Sequence, residues 1–205
     1  MGKMSKPDWL KIRPPTGIGI QQYAQVKETV KGLGLTTVCE EAKCPNISEC
    51  WSGGTATFMV LGDTCTRGCR FCHIKTARQG QAVDPFEPIK LAQAIKSFGL
   101  KYAVITSVDR DELEDQGAGH FAKCIEEVKK QNPSLIVEVL IPDFRGQPEL
   151  IDKIISAKPQ VIAHNIETVK RLQRKVRDVR ANYEQSLSVL EYVKKVSPQT
   201  ITKSS

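Results

Sequence analysis

Six of the seven cysteines in this 205-residue chain fall into two groups of three, Cys39, Cys44, Cys50 and Cys65, Cys69, Cys72, while Cys124 stands alone. The stretch from Met1 to Trp9 lacks the apolar core of a secretory signal, and no run reaches the roughly 20 apolar residues that a spanning helix needs. A cytoplasmic, thiol-reducing setting is therefore expected. There, grouped cysteines point to metal binding or catalysis rather than to disulfides.

The second trio has the spacing C-x3-C-x2-C in Gly62-Asp63-Thr64-Cys65-Thr66-Arg67-Gly68-Cys69-Arg70-Phe71-Cys72. Cysteines at i, i+4 and i+7 could place three small side chains on one helix face as core. Two glycines, two arginines and several hydroxyl or carboxylate residues argue instead for a loop wrapped about something. Three thiolates do not complete a structural zinc site, but they can hold three irons of a four-iron cluster and leave the fourth open to a ligand. The first trio has the spacing C-x4-C-x5-C, with Pro45 and Asn46 bending the chain between ligands. Its spacing also suits a zinc knuckle borrowing Cys65, Cys124 or His73, although two matched trios favour two clusters.

Around this cysteine run the chain changes texture. Pro7, Pro14, Pro15, Gly17 and Gly19 break regular structure before a short helix near Gln21 to Lys31. Residues 1–54 thus form an N-terminal extension carrying the first trio. From residue 55 onward, uncharged β-prone runs at 55–61, 102–106, 135–141, 160–164 and 200–202 alternate with helix-period segments at 88–98, 117–130, 148–157, after Glu167, and at 183–196. Leu91, Ile95 and Phe98 give the first of these helices an apolar stripe. The pattern predicts an α/β fold with parallel βαβ units. Because a closed eight-stranded barrel takes about 250 residues, residues 55–205 are long enough only for a partial (β/α) barrel. The second trio directly follows the first strand, at the sheet end where parallel α/β folds build their sites.

These motifs together resemble the radical S-adenosylmethionine (SAM) enzymes, and among them the lipoyl synthases. The resemblance rests on Cys39-Glu40-Glu41-Ala42-Lys43-Cys44-Pro45-Asn46, Glu49-Cys50-Trp51, Gly54 to Met59, Gly62 to Cys72, Thr106 to Asp111, Glu138 to Gly146 and Ala163 to Val169. It implies two 4Fe-4S clusters. The one on Cys65, Cys69 and Cys72 binds and reductively cleaves SAM to a radical that abstracts hydrogen from C6 and C8 of an octanoyl chain; the one on Cys39, Cys44 and Cys50 is sacrificed as sulfur donor. It also implies octanoylated lipoyl carrier domains as partners, the glycine cleavage H protein and 2-oxoacid dehydrogenase E2 subunits, with a reduced ferredoxin or flavodoxin as electron donor. Family members continue beyond this chain's last residue, so it is expected to be truncated at the C-terminus.

Polar residues at the second and fourth strand ends, Thr106, Ser107, Asp109, Asn165 and Glu167, are expected to contact SAM, against a plainer reading as caps and loop hydrogen bonds. His73, His120 and His164 read as satisfied loop or core residues. The run from Lys170 to Arg180 carries six basic residues and one acidic, and the chain's net charge is +7. A solvated helix face accounts for such a run, and the resemblance adds steering of an acidic carrier domain. A zinc or iron–sulfur module binding nucleic acid is the contrasting class; the stacking aromatics of an RNA binder are absent from the run, and neither nucleic acid nor membrane is expected as a partner. Another radical SAM sulfur-inserting or methylthio-transferring enzyme is the nearer alternative.

Overall fold

The computed structural model describes residues 7, 11, 16–53 and 55–205; the expected breaks at Pro14 and Pro15 lie outside the described residues. Helix α1 (Ile18–Gly32) leads to a two-residue strand β1 (Thr36–Thr37), then the short helices α2 (Val38–Glu41) and α3 (Ile47–Ser52). Strand β2 (Thr57–Val60) opens the repeating part of the chain. It is followed by a small pair, β3 (Thr64–Cys65) and β4 (Lys75–Thr76), and then by α4 (Glu87–Ser97), β5 (Tyr102–Ser107), α5 (Ala118–Gln131), β6 (Ile136–Leu140), α6 (Pro148–Ser156), β7 (Val161–Ala163), α7 (Gln173–Val176), α8 (Tyr183–Val196) and β8 (Ile201–Lys203).

The main sheet has the order β1-β2-β5-β6-β7-β8, and every neighbouring pair from β2 to β8 is parallel. This is the expected α/β architecture, a partial (β/α) barrel. Its physical basis is visible in single residues. Phe58, Met59 and Val60 are all buried, as are Val137, Val139 and Ile162, so the strands are covered on both faces and carry few charges. Leu91 and Ile95 on α4 are fully buried and Phe98 packs against the same core, as their spacing predicts.

One connection was not legible in the pattern. Strand β1 pairs antiparallel with β2, Thr36 opposite Met59 and Thr37 opposite Phe58. Two threonines are too short a run for periodicity to register. Through them the described part of the segment that bears the first cysteine trio pairs with the main sheet. Trp51 of α3 is fully buried, with its ring 5.3 Å from that of Tyr23 on α1, which packs this segment further.

Candidate iron–sulfur and nucleotide site

Each cysteine trio is shaped by local devices. Thr37 caps α2: its Oγ1 accepts the Glu40 N–H at 3.3 Å and donates to Glu40 Oε2 at 3.2 Å, an N-cap that fixes the turn bearing Cys39. Cys44 donates its N–H to the Cys39 carbonyl at 3.0 Å, with Lys43 at φ +49 closing the turn between them. Cys50 follows on α3. Burial raises its thiol pKa, and the nearby Cys39 and Cys44 thiols add to the rise, so the three sulfurs share one electrostatic neighbourhood.

The second trio lies on a loop closed at its base by β3 and β4, with Thr64 opposite Lys75 and Cys65 opposite Thr76. It is a loop, as its glycines and charges predict, and not a helical core stripe. Two other loops hold it. Thr66 donates its N–H and its hydroxyl to the Asp109 carbonyl at 2.9 and 3.0 Å, tying it to the end of β5. Gly68 N–H donates to Asp178 Oδ2 at 2.9 Å and Arg70 N–H to the Val176 carbonyl at 2.8 Å, tying it to the end of α7. The sulfurs also accept backbone donors, Cys65 from Arg67 N–H at 3.4 Å and Cys69 from Asp178 N–H at 3.3 Å.

Arg67, between the first two cysteines of the loop, was not singled out by sequence reasoning, yet it is the centre of the site. It is 4% exposed. Its guanidinium donates to both oxygens of Asp143 at 2.7 and 2.8 Å and to both oxygens of Asp111 at 2.7 and 2.9 Å, with Asp109 at 3.3 Å. Burial opposes its charge, but these hydrogen bonds outweigh that and raise its pKa. The same bonds hold Asp111 and Asp143 below the usual carboxylate range despite burial. Asp109 goes the other way: burial pushes it up to about 6 against the pull of Arg67. Cys65 is pushed up to about 12 by burial and then by Asp109, so a lone thiolate is disfavoured there and a cation is needed to hold it ionised.

Cys65, Cys69 and Cys72 line a cavity of about 320 Å³, within the range of small-molecule sites. Thr106, Ser107, Asp109, Asn165 and Glu167 line the same cavity, so the structure brings all five expected contact residues to one place with the second trio. They are not equivalent. Thr106 Oγ1 already donates to the Leu140 carbonyl at 2.9 Å. Ser107 Oγ is buried without any partner. Glu167, at φ +68, is exposed at the rim. Val38, the residue before Cys39, also lines the cavity and brings the first trio's segment to its wall.

Arg177 is a second residue that the sequence left in a surface run. It turns inward, lines the cavity and donates from Nη1 to Ser186 Oγ at 2.9 Å, while its buried Nε has no partner. Arg180 likewise bonds Asp178 and the Thr66 carbonyl. The basic run is thus divided, with Lys170, Arg171, Arg174 and Lys175 exposed and Arg177 and Arg180 committed to the site. His164 is satisfied, as expected, between the Ile141 carbonyl and Ser186 Oγ at 2.9 and 3.0 Å.

Among the described residues, the one trio of ligating atoms all within 4.8 Å of one another is Glu87, His120 and Cys124. The cysteine trios are wider. Thiolates around one tetrahedral ion, with bonds of about 2.3 Å, stand only ~3.8 Å apart, whereas thiolates on separate irons of a cluster stand further apart. The donors fit a four-iron cluster and a polar, anion-bearing ligand: three soft thiols line the cavity together with residues bearing an orphaned hydroxyl, Ser107, and an orphaned guanidinium N–H, Arg177.

Comparison with known proteins agrees with this geometry. Residues 2–44 match the N-terminal domain of lipoyl synthase of the radical SAM family. The chain is 58% identical over 201 residues to lipoyl synthase of Halobacterium salinarum, covering 96% of this chain and 63% of that protein. It is 54% identical over 208 residues to mitochondrial lipoyl synthase of Zea mays, covering 98% of this chain and 54% of that one. It therefore spans little more than half the length of these relatives. Among solved structures, methylornithine synthase superposes with a TM-score of 0.55 at 13% identity, covering 92% of this chain and 58% of that one. An FeFe-hydrogenase maturase from Carboxydothermus hydrogenoformans superposes with 0.57 at 12%, covering 89% and 52%. Both show a shared fold. Residues 59–203, well over half of the chain, match the radical SAM superfamily, and the chain belongs to that family.

Proposed function

We propose that this chain carries the lipoyl synthase reaction, insertion of two sulfur atoms at C6 and C8 of a protein-bound octanoyl group. The observation that carries the reading is the convergence of Cys65, Cys69 and Cys72 with Ser107, Asp109, Asn165 and Glu167 on one cavity, which the Cys39 segment reaches through Val38. The identity to lipoyl synthases over 96–98% of this chain supports the same substrate class.

In this reading Cys65, Cys69 and Cys72 hold the 4Fe-4S cluster that membership of the family implies, and Cys39, Cys44 and Cys50 hold a second, which supplies the sulfur. Residues 1–54 carry the auxiliary trio and 55–205 the core. Bound together, the cluster and SAM supply hydrogen-atom abstraction, which no acid or base of a protein performs on an unactivated C–H bond. The protein's own groups orient. Thr106, Ser107 and Asp109 at the end of β5, with Asn165 and Glu167 after β7, are assigned to the amino-acid and ribose parts of SAM. Arg177, with its free Nε–H, suits the SAM carboxylate. Arg67 holds three loop carboxylates in place, so that the cysteine loop enters the cavity preformed.

The proposed partners are octanoylated lipoyl carrier domains and a reduced ferredoxin or flavodoxin. Exposed Lys170, Arg171, Arg174 and Lys175 beside the site suit an acidic carrier surface. No helix among the described residues is long and apolar enough to cross a membrane. The proposed setting is a reducing one such as the cytoplasm, and relatives include a mitochondrial form.

Iron analysis and product assay on anaerobically reconstituted protein test the assignment. Two clusters give about eight irons per chain. Cys65→Ala, Cys69→Ala or Cys72→Ala is expected to abolish SAM cleavage. Cys39→Ala, Cys44→Ala or Cys50→Ala is expected to leave cleavage intact and stop sulfur insertion. Lipoyl product from the latter set refutes the sulfur-donor assignment.

A further inference from the structure

The chain turns sharply at the end of β2, shortly before the cavity-lining Cys65, and the residue at the turn is one that resists it. Leu61 has φ +69 and Gly62 φ +88. Glycine accepts left-handed backbone, whereas leucine's Cβ is crowded by the following carbonyl. Three outside groups meet Leu61 at this turn. Its N–H donates to Glu87 Oε2 of α4 at 3.0 Å, and its carbonyl accepts from Arg110 Nη1 at 2.9 Å. Its side chain lies over Gly117 ahead of α5, where a Cβ would stand 2.4 Å from Leu61 Cδ1.

Each polar anchor is itself anchored. Glu87 is buried, and the same Oε2 lies 2.6 Å from His120 Nε2. Arg110 is buried too, bonded to Glu112 Oε1 at 2.6 Å and to the Gln81 carbonyl at 2.7 Å. Gly80 leaves room for it, since a Cβ there would meet Arg110 Nε at 2.5 Å. None of Glu87, His120 and Arg110 lines the cavity.

We propose that Glu87, His120 and Arg110 are positioning residues that lock Leu61 in its left-handed turn and thereby set how Cys65 and its loop enter the cavity. The inference rests on the assignment of Cys65, Cys69 and Cys72 as cluster ligands. His120 acts at one remove. Without its N–H, the buried Glu87 carboxylate keeps one donor, the Leu61 N–H, of the two that hold it; it swings toward other partners, and the Leu61 N–H loses its acceptor. Leu61 then relaxes toward ordinary backbone and Cys65 moves. Cys124, the third member of the Glu87 and His120 group, is fully buried, and the carboxylate and imidazole already bond each other, so the trio reads as a hydrogen-bonded clamp rather than an ion site.

The test uses the full chain, reconstituted anaerobically, with SAM affinity read from the change it causes in the electron paramagnetic resonance signal of the reduced cluster. His120→Leu, Glu87→Ala and Arg110→Met are expected to weaken SAM binding at least about tenfold. His120→Gln, which keeps an N–H donor, is expected to restore binding to within about threefold. Ile125→Ala supplies the stability control, because it opens a cavity on the same helix α5 and lowers the melting temperature without touching the clamp. If His120→Leu binds SAM like the parent, or Ile125→Ala weakens SAM as much as His120→Leu does, the clamp is refuted and the cluster assignment stands. A parent signal that ignores SAM refutes that assignment and the clamp with it. One bound zinc in the parent, lost in His120→Leu and Cys124→Ser, overturns the clamp in favour of an ion site.

Discussion

Replacing Arg67 by methionine removes the centre of an ion lattice that joins the cysteine loop to the ends of β5 and β6. The consequence depends on which carboxylate is stranded. Asp111 keeps Arg145 Nε at 3.0 Å and Arg180 at 3.3 Å. Asp143, whose side chain is 1% exposed, loses both guanidinium bonds and keeps only neutral donors, the Arg145 backbone N–H at 2.9 Å and the Gln185 side chain. Breaking a buried ion pair from one side costs about 3–5 kcal/mol, because the partner charge stays in low dielectric. For a chain of this size that is a melting-temperature drop of roughly 6–20 °C. Asp143→Asn in the Arg67→Met background needs no countercharge and should recover at least about 1 kcal/mol, a coupling that a double-mutant cycle measures. The assay is urea unfolding of the metal-free, thiol-reduced protein followed by the fluorescence of buried Trp51. Arg67→Met within about 1 kcal/mol of the parent, or made worse by Asp143→Asn, would refute the argument that a trapped carboxylate dominates.

Ser107→Ala separates binding from stability, because the Ser107 hydroxyl is buried without a partner. It is expected to leave the metal-free protein as stable or up to about 1 kcal/mol more so, while weakening SAM about tenfold, by melting temperature and equilibrium dialysis. The lattice also predicts acid sensitivity. Asp111 and Asp143 are held below the usual carboxylate range, so their contribution is present above about pH 4 and is lost as pH falls through their folded values. The urea midpoint of the metal-free chain should drop between about pH 5 and 3, and Asp143→Asn should flatten that drop. Asp109, raised to about 6, has the opposite sign: its contribution is lost as pH rises through that value, and Asp109→Asn should lift the midpoint near neutrality relative to the parent.

Much of the fold could be read directly. The run at 102–106 became β5, Tyr102–Ser107, and the segment at 183–196 became α8, Tyr183–Val196, because burial on both faces keeps a strand uncharged and burial on one face gives a helix its period. Short pieces escaped that logic. Thr36–Thr37, and the β3–β4 pair that closes the cysteine loop, are too brief to carry a period and exist because distant backbone is there to pair with. The basic run after Glu167 was read as one helical surface stretch. It is a single 3₁₀ turn, Lys170–Leu172, and the four-residue α7, with Arg177 drawn inward and Arg180, still exposed, bonded to Asp178 and the cysteine loop. A signal was available in Arg67, a cation set between two cysteines, but its partners lie 44 and 76 positions away.

By itself the sequence determined the family and which side chains are candidates for its chemistry, because six thiols at fixed short spacings and polar residues at successive strand ends are local facts that survive any packing. The tertiary structure decided what depends on distant segments meeting. It set the Arg67 lattice across three loops, the turn of Arg177 toward the cavity, and the hold of Glu87, His120 and Arg110 on Leu61. A buried charge takes whichever opposite charge folding brings within reach, and no pattern along the chain records which one that is.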